Sequence, residues 1–215
     1  MLMKIETLRK RAGREEVDYS FMMSALSRYA CPREKISAWL KSGELIRVKK
    51  GLYVFGESAA LHPYSKEVLA NLIYGPSAIS LTYALGFYGL IPERVESVTS
   101  ITSNRYKFFN TAVGDFIYYY LPARQYTVGI VQATLLPDQP FLISTPEKAL
   151  CDQLYFIDKR VALQHGDDME KYLFHHLRID ENLLLKFKLK YLQEINHVYQ
   201  DARIRLLMHY LKKRK

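Results

Sequence analysis

An α+β fold is predicted by the order in which the chain's periodicities change. Helix-period segments fill residues 5–42 and 66–90, β-rich runs occupy 97–144, and helix-period segments return from 145 onward. A second observation points the same way: a short helix followed at once by a basic hairpin lies at residues 31–55, apart from the later strands. The third is composition. With 215 residues, 49% hydrophobic and 13% aromatic, the chain can bury one large core, or a small one beside a medium one.

In chain order, Ile5–Arg11 reads as a short basic amphipathic helix, and Glu15, Glu16, Val17 and Asp18 as a polar connection. Ser20–Tyr29 reads as a second helix, with Phe21, Leu26 and either Met22 or Ala25 facing inward. Pro32 suits a first helical position, since it has no N–H to lose there. Ile36, Trp39 and Leu40 then fall on one inward stripe, and Gly43 supplies the C′ residue, so this helix ends near Ser42. Cys31 precedes the proline where Ser, Thr, Asp or Asn would cap better. From Leu45 the chain alternates, Ile46 and Val48 on one side and Arg47 and Lys49 on the other, before the turn at Lys50-Gly51 and the run Leu52–Phe55.

Three helices and a hairpin in this order predict an N-terminal winged helix-turn-helix over residues 1–57, with Gly56–Ala60 as linker to a larger mixed α+β domain over 62–215. The polar positions of the third helix and the hairpin are Arg33, Lys35, Ser37, Lys41, Arg47, Lys49 and Lys50. A helix for the major groove and a basic wing for flanking phosphates would use those side chains. Taken alone, the segment fits a solvated surface equally well, because charge runs are often only solvated faces.

In the second part, Lys66–Tyr74 is predicted helical, Gly75-Pro76 breaks it, and Ser80 opens another helix through LTYALGFYGL. Strands are predicted at Ser97–Thr102, Phe116–Leu121, Val128–Leu135 and Phe141–Ser144, forming an antiparallel sheet. Thr145-Pro146-Glu147 starts a helix running to about Asp158; 167–178 and 181–210 read as C-terminal helices. Lys186, Lys188, Lys190, Arg203, Arg205 and the tail Lys212–Lys215 make these helices basic, as phosphate contacts or as a solvated face.

Charge is unevenly spread. The chain has 31 Lys+Arg against 22 Asp+Glu, a net of +9. Residues 1–55 hold 12 basic and 6 acidic side chains, 56–160 hold 8 and 9, and 161–215 hold 11 and 7. A near-neutral middle between basic ends assigns the positive charge to particular surfaces, for which phosphate backbones are the commonest partner.

Catalytic patterns are missing. Glu67, Glu93, Glu96, Asp115 and Asp152 are scattered with no metal-binding spacing, although acids distant in sequence can meet in space. The histidines form no HExxH, and no GxxxxGK[ST] or GxGxxG occurs. No catalytic residue, cofactor or metal is therefore expected, and the chain reads as a non-enzyme. Cys31 and Cys151 have neither CxxC nor metal spacing and read as buried, reduced thiols. No apolar run approaches a membrane span and the first residues lack a signal-peptide core, which predicts a cytoplasmic protein without a membrane partner. Among 17 tyrosines, Tyr118 and Tyr120 share one strand face and Tyr119 the other, which favours core or protein contact over nucleic-acid stacking.

Three segments, DYSFMMSALSRYACPREKISAWLKSGELIRVKKGLYVF, SAISLTYALGFYGLIPE and TPEKALCDQLY, resemble the AbiEi family of antitoxins from type IV toxin–antitoxin systems. The resemblance covers roughly residues 1–160. It implies a DNA-binding transcriptional repressor whose winged helix binds inverted repeats in its own promoter, as a monomer with cooperative binding to double-stranded DNA. It also implies a C-terminal antitoxin domain that counteracts a nucleotidyltransferase-like toxin. By position, the DNA contacts would be the seven residues from Arg33 to Lys50 named above. The alternative is a winged-helix module fused to a nucleic-acid-processing, nuclease-like domain or to a protein-interaction domain.

Overall fold

The computed structural model describes residues 3–135, 139–157, 161 and 163–214. The chain opens α1 (Ile5–Ala12), β1 (Glu16–Asp18), α2 (Tyr19–Ala25), α3 (Pro32–Lys41), β2 (Leu45–Lys49), β3 (Leu52–Phe55). The three strands form an antiparallel sheet in the order β1-β3-β2. The Glu15–Asp18 segment, expected as a loop, supplies β1. Its short strand pairs Val17 with Tyr53 across the sheet, a contact distant in sequence. Asp18 caps α2, its carboxylate accepting from the Phe21 N–H at 2.6 Å, and Met22, Ala25 and Leu26 are the buried side chains of that segment.

α3 lies where Pro32 and Gly43 place it. Cys31 makes no side-chain cap, and Gly43 adopts φ 75°, the left-handed conformation expected after the helix. A Cβ on Gly56 would stand 1.9 Å from the Gly43 carbonyl oxygen, so the end of β3 can pass this turn only as glycine.

The second part comprises α4 (Lys66–Ile73), β4 (Ser77–Ile79), α5 (Leu81–Phe87), β5 (Val98–Thr102), β6 (Lys107–Thr111), β7 (Gly114–Tyr120), α6 (Ala123–Thr127), β8 (Ile130–Thr134) and β9 (Pro140–Ser144). Then come α7 (Pro146–Phe156), α8 (Gly166–Lys171) running into a π-helical turn at Tyr172–His176, α9 (Glu181–Leu185), α10 (Leu189–Tyr199) and α11 (Ala202–Arg214). The helix from Thr145 thus ends at Phe156; Asp158 and Lys215 lie outside the described residues. Among the described residues, six strands form one sheet in the order β6-β7-β5-β4-β9-β8. Antiparallel pairings predominate, but β4 runs parallel to β9 and β5 parallel to β7. β4 and β6 were not foreseen: three residues are too few to show alternation, and KFFNT has none.

Helices cover both faces of this sheet. The Tyr118 hydroxyl donates to the Ala70 carbonyl of α4 at 2.7 Å, while the Tyr119 ring packs 5.1 Å from Phe156 of α7 on the other face. Tyr120, on the Tyr118 face, is exposed. Coverage on both sides explains why FIYYYL lacks a polar face.

Among the described residues, buried side chains fall into two clusters. One is drawn from residues 5–59 and centres on Leu8, Met22, Trp39, Tyr53 and Phe55. The other runs from 68 to 211 and also takes Val48, Leu52 and Val54 from the hairpin. The small sheet is therefore buried on both faces, Tyr53 and Phe55 toward α1–α3 and Leu52 and Val54 toward the second core. Among the described residues no helix is long and apolar enough to cross a membrane.

Candidate nucleic-acid interface

α3 turns Ile36 and Trp39 into the first core, which leaves Arg33, Ser37 and Lys41 exposed at a spacing of four along its outer face. Glu34 and Ala38 complete that face, so it carries two cations, one carboxylate and small polar or apolar groups. Lys35 lies at the side, its ammonium 5.0 Å from the Trp39 ring centroid, a cation–π contact that holds the chain against the helix. The Arg33 Nε donates to the Tyr19 hydroxyl at 3.1 Å, which ties the start of α3 to α2. Tyr19 was not anticipated as part of this surface, and no spacing in the sequence marks it.

The hairpin departs from simple alternation. Arg47 stands opposite Tyr53, with its guanidinium carbon 5.9 Å from that ring, and is exposed. Between Arg47 and Lys49 the register shifts, so that Lys49 pairs with Leu52 and joins the face turned toward the second core. Its ammonium donates to the Ile73 carbonyl at the end of α4, and burial lowers its pKa from the ordinary lysine value. The expected grouping of Lys49 with Arg47 is therefore corrected by a bulge, a feature that period-two reading cannot show. Lys50, at the turn, remains exposed. Of the seven predicted contacts, Arg33, Ser37, Lys41, Arg47 and Lys50 are exposed, Lys35 is half-buried, and Lys49 is half-buried and engaged.

A buried pair braces this unit from behind. Glu15, fully buried, accepts from Arg9 at 2.9 Å from Nε and 2.5 Å from Nη2, and from the backbone N–H groups of Leu61 and His62 at 3.1 and 2.9 Å. It thereby joins α1 to the segment leading into the second part.

The scattered carboxylates separate into engaged groups. Glu67, Glu93 and Glu96 line one cavity of about 300 Å³ with Lys66, Tyr83 and Arg94. Glu67 accepts from Tyr83 at 2.6 Å and Ser65 at 2.7 Å, Glu93 pairs with Arg178 at 2.9 Å, and Glu96 with Arg94 at 3.1 Å. Asp115 accepts from Asn110 at 2.6 Å. Asp152 is fully buried on α7, accepting from Lys148 at 3.1 Å, Ser80 at 2.5 Å and the Tyr199 hydroxyl. Among the described residues no group of three or more His, Cys, Asp or Glu side chains could hold a metal ion. The thiols differ: Cys151 is buried, but Cys31 is exposed at the start of α3, contrary to the expectation of two buried thiols.

The chain is thus an α+β protein with antiparallel sheet pairing and C-terminal helices. No family model matches it, and no curated protein matches it. Among solved structures it is similar to the RV2827C protein from Mycobacterium tuberculosis, known from a crystal structure, with a TM-score of 0.50 and 16% identity over 95% of this chain and 80% of that one. At that identity the likeness concerns the fold, across nearly the whole length.

Proposed function

We propose that this chain is a duplex-DNA-binding transcriptional repressor and antitoxin acting in the cytoplasm, with residues 1–57 as its winged helix. One observation carries the DNA reading: the outer face of α3 presents Arg33, Ser37 and Lys41 in a row, with Arg47 and Lys50 exposed on the hairpin that follows. In this reading α3 enters the major groove, where Arg33 and Ser37 reach base edges, and Arg47 and Lys50 meet the flanking phosphates. Lys41 supplies a further phosphate contact. Lys49 acts indirectly, by seating the hairpin on α4.

The antitoxin half of the proposal is supported by the family resemblance of SAISLTYALGFYGLIPE and TPEKALCDQLY, and the partner it implies is a nucleotidyltransferase-like toxin. The test of the DNA reading is a fluorescence-anisotropy titration of the full chain against duplex from its own upstream region and against a scrambled duplex. Preferred, salt-sensitive binding to the former is expected; equal affinity for both would overturn operator recognition. Co-expression with the neighbouring open reading frame tests the antitoxin role by growth rescue.

A further inference from the structure

The larger sheet ends in an open edge. β6 is an outermost strand and, among the described residues, pairs only with β7, so alternate backbone N–H and C=O groups along Lys107–Thr111 point away from the sheet. The side chains at this edge are both apolar and basic. Tyr106 is 58% and Phe108 50% exposed, and the two cations that alternate with them, Arg105 and Lys107, are exposed as well. Among the described residues neither cation forms an ion pair, and β6 itself carries no acid.

The pleat sorts these groups onto two faces. Phe109 packs against Tyr74 and Tyr118, with ring centroids 5.9 and 5.8 Å away, on the face covered by α4. Lys107, opposite Tyr118 and two residues before Phe109, starts from this same face. Phe108 stands opposite Ile117, and Tyr106 lies 5.8 Å from Tyr119, both on the face covered by α7. A ligand that meets Phe108 and Lys107 together must therefore straddle the edge. An added β-strand does so, because its own side chains alternate between the two faces. A single nucleic-acid strand stacked on Tyr106 and Phe108 would leave Lys107 behind it. A second copy of β6 would gather four cations with no carboxylate on either strand.

We infer that β6 accepts an extended segment of a partner protein in which apolar and acidic residues alternate. Its main chain continues the sheet, its apolar side chains cover Tyr106 and Phe108, and its acids meet Lys107 on the opposite face. A lysine discourages purely apolar strands from pairing with an edge, and here the same charge selects an acidic one. β6 belongs to the second part of the chain, so the inference does not rest on the DNA reading.

The probes for the full chain are an octapeptide of alternating valine and aspartate, its valine and lysine counterpart, and the acidic peptide with every amide N-methylated. Amide chemical shifts and hydrogen exchange report the contact. The acidic peptide should bind saturably, shift Lys107–Thr111 and slow exchange of the outward amides of β6; the lysine peptide and the N-methylated peptide should do neither. Arg105→Glu/Lys107→Glu should weaken the acidic peptide about tenfold and reverse the preference toward the lysine peptide. Phe108→Ser should weaken binding without reversing it, and an otherwise unchanged amide spectrum shows that each variant is folded. The proposal is overturned by no binding of the acidic peptide, by equal binding of the acidic and lysine peptides, or by undiminished binding of the N-methylated one. It is also overturned if a twelve-residue oligodeoxythymidine shifts these amides more tightly than the peptide, which would assign the edge to nucleic acid, or if they shift with protein concentration alone, which would assign it to a second copy.

Discussion

The ammonium of Lys49 donates to the backbone carbonyl of Ile73, the last residue of α4. That carbonyl is one of the acceptors a helix leaves unsatisfied at its C-terminus, at the negative end of the helix dipole. The contact fixes the hairpin tip to the second part of the molecule and leaves Arg47 and Lys50 facing solvent.

Salt dependence of DNA binding separates these roles. Arg47→Ala and Lys50→Ala should each flatten the slope of log K against log salt by about 0.9, one released phosphate contact apiece. Lys49→Ala should leave the slope unchanged while lowering affinity at every salt concentration, because the hairpin loses its seat. An equal flattening in Lys49→Ala would place that ammonium on a phosphate.

Glu15→Ala should be among the most destabilising single substitutions in the first unit. It strands the Arg9 guanidinium, 4% exposed, and two backbone N–H groups. Breaking a buried pair on one side costs about 3–5 kcal/mol. Replacing both partners, Arg9→Met with Glu15→Leu, should cost less than the single change, since no charge is left uncompensated. Urea denaturation of the two variants measures this, and a double variant worse than Glu15→Ala would contradict it.

How much of this was legible in sequence depends on the range of the interaction. α3 was readable from Pro32, the Ile36/Trp39 spacing and Gly43, all local signals. The bulge at Lys49 was not, because it depends on how β2 meets β3 and on the approach of α4. The Glu15–Asp18 segment looked polar and solvated, yet Glu15 and Glu16 are buried; an acid such as Glu15 is read as a surface residue until an arginine six positions away is seen beside it. In TPEKALCDQLY the Thr145 cap and the helix it starts were legible, but its buried polar contacts were not. Lys148 and Asp152 meet Ser80 and Tyr199, 72 and 47 residues from Asp152.

Thiol chemistry should distinguish the two cysteines. Cys31 is exposed, while burial, with Asp152 adding to it, pushes the Cys151 thiol well above the ordinary cysteine value. The thiolate is the reactive form. A disulfide-exchange reagent at mildly alkaline pH should titrate one equivalent in the native protein and the second only in denaturant, and Cys31→Ser should remove the fast equivalent. Two fast equivalents would mean that α7 opens readily.

The network around Asp152 should behave as one unit. Lys148 and Asp152, one turn apart on α7, are both fully buried; Lys148 also donates to the Gln125 carbonyl at 2.9 Å and to the Tyr199 hydroxyl at 2.5 Å. The Tyr199 hydroxyl donates to the Asp152 carboxylate, and burial, reinforced by the carboxylate, raises its pKa so that the phenol stays a donor. Ser80 completes the shell just before Leu81, whose φ of 57° is a left-handed conformation that costs a leucine about 1–2 kcal/mol. Lys148→Met and Asp152→Leu should each cost about 3–5 kcal/mol, and Tyr199→Phe about 1–3 kcal/mol. The Lys148→Met/Asp152→Leu double variant should cost clearly less than the two singles together, because each single leaves a buried charge that the double removes. Additivity within about 0.5 kcal/mol in urea denaturation would show instead that the groups act independently.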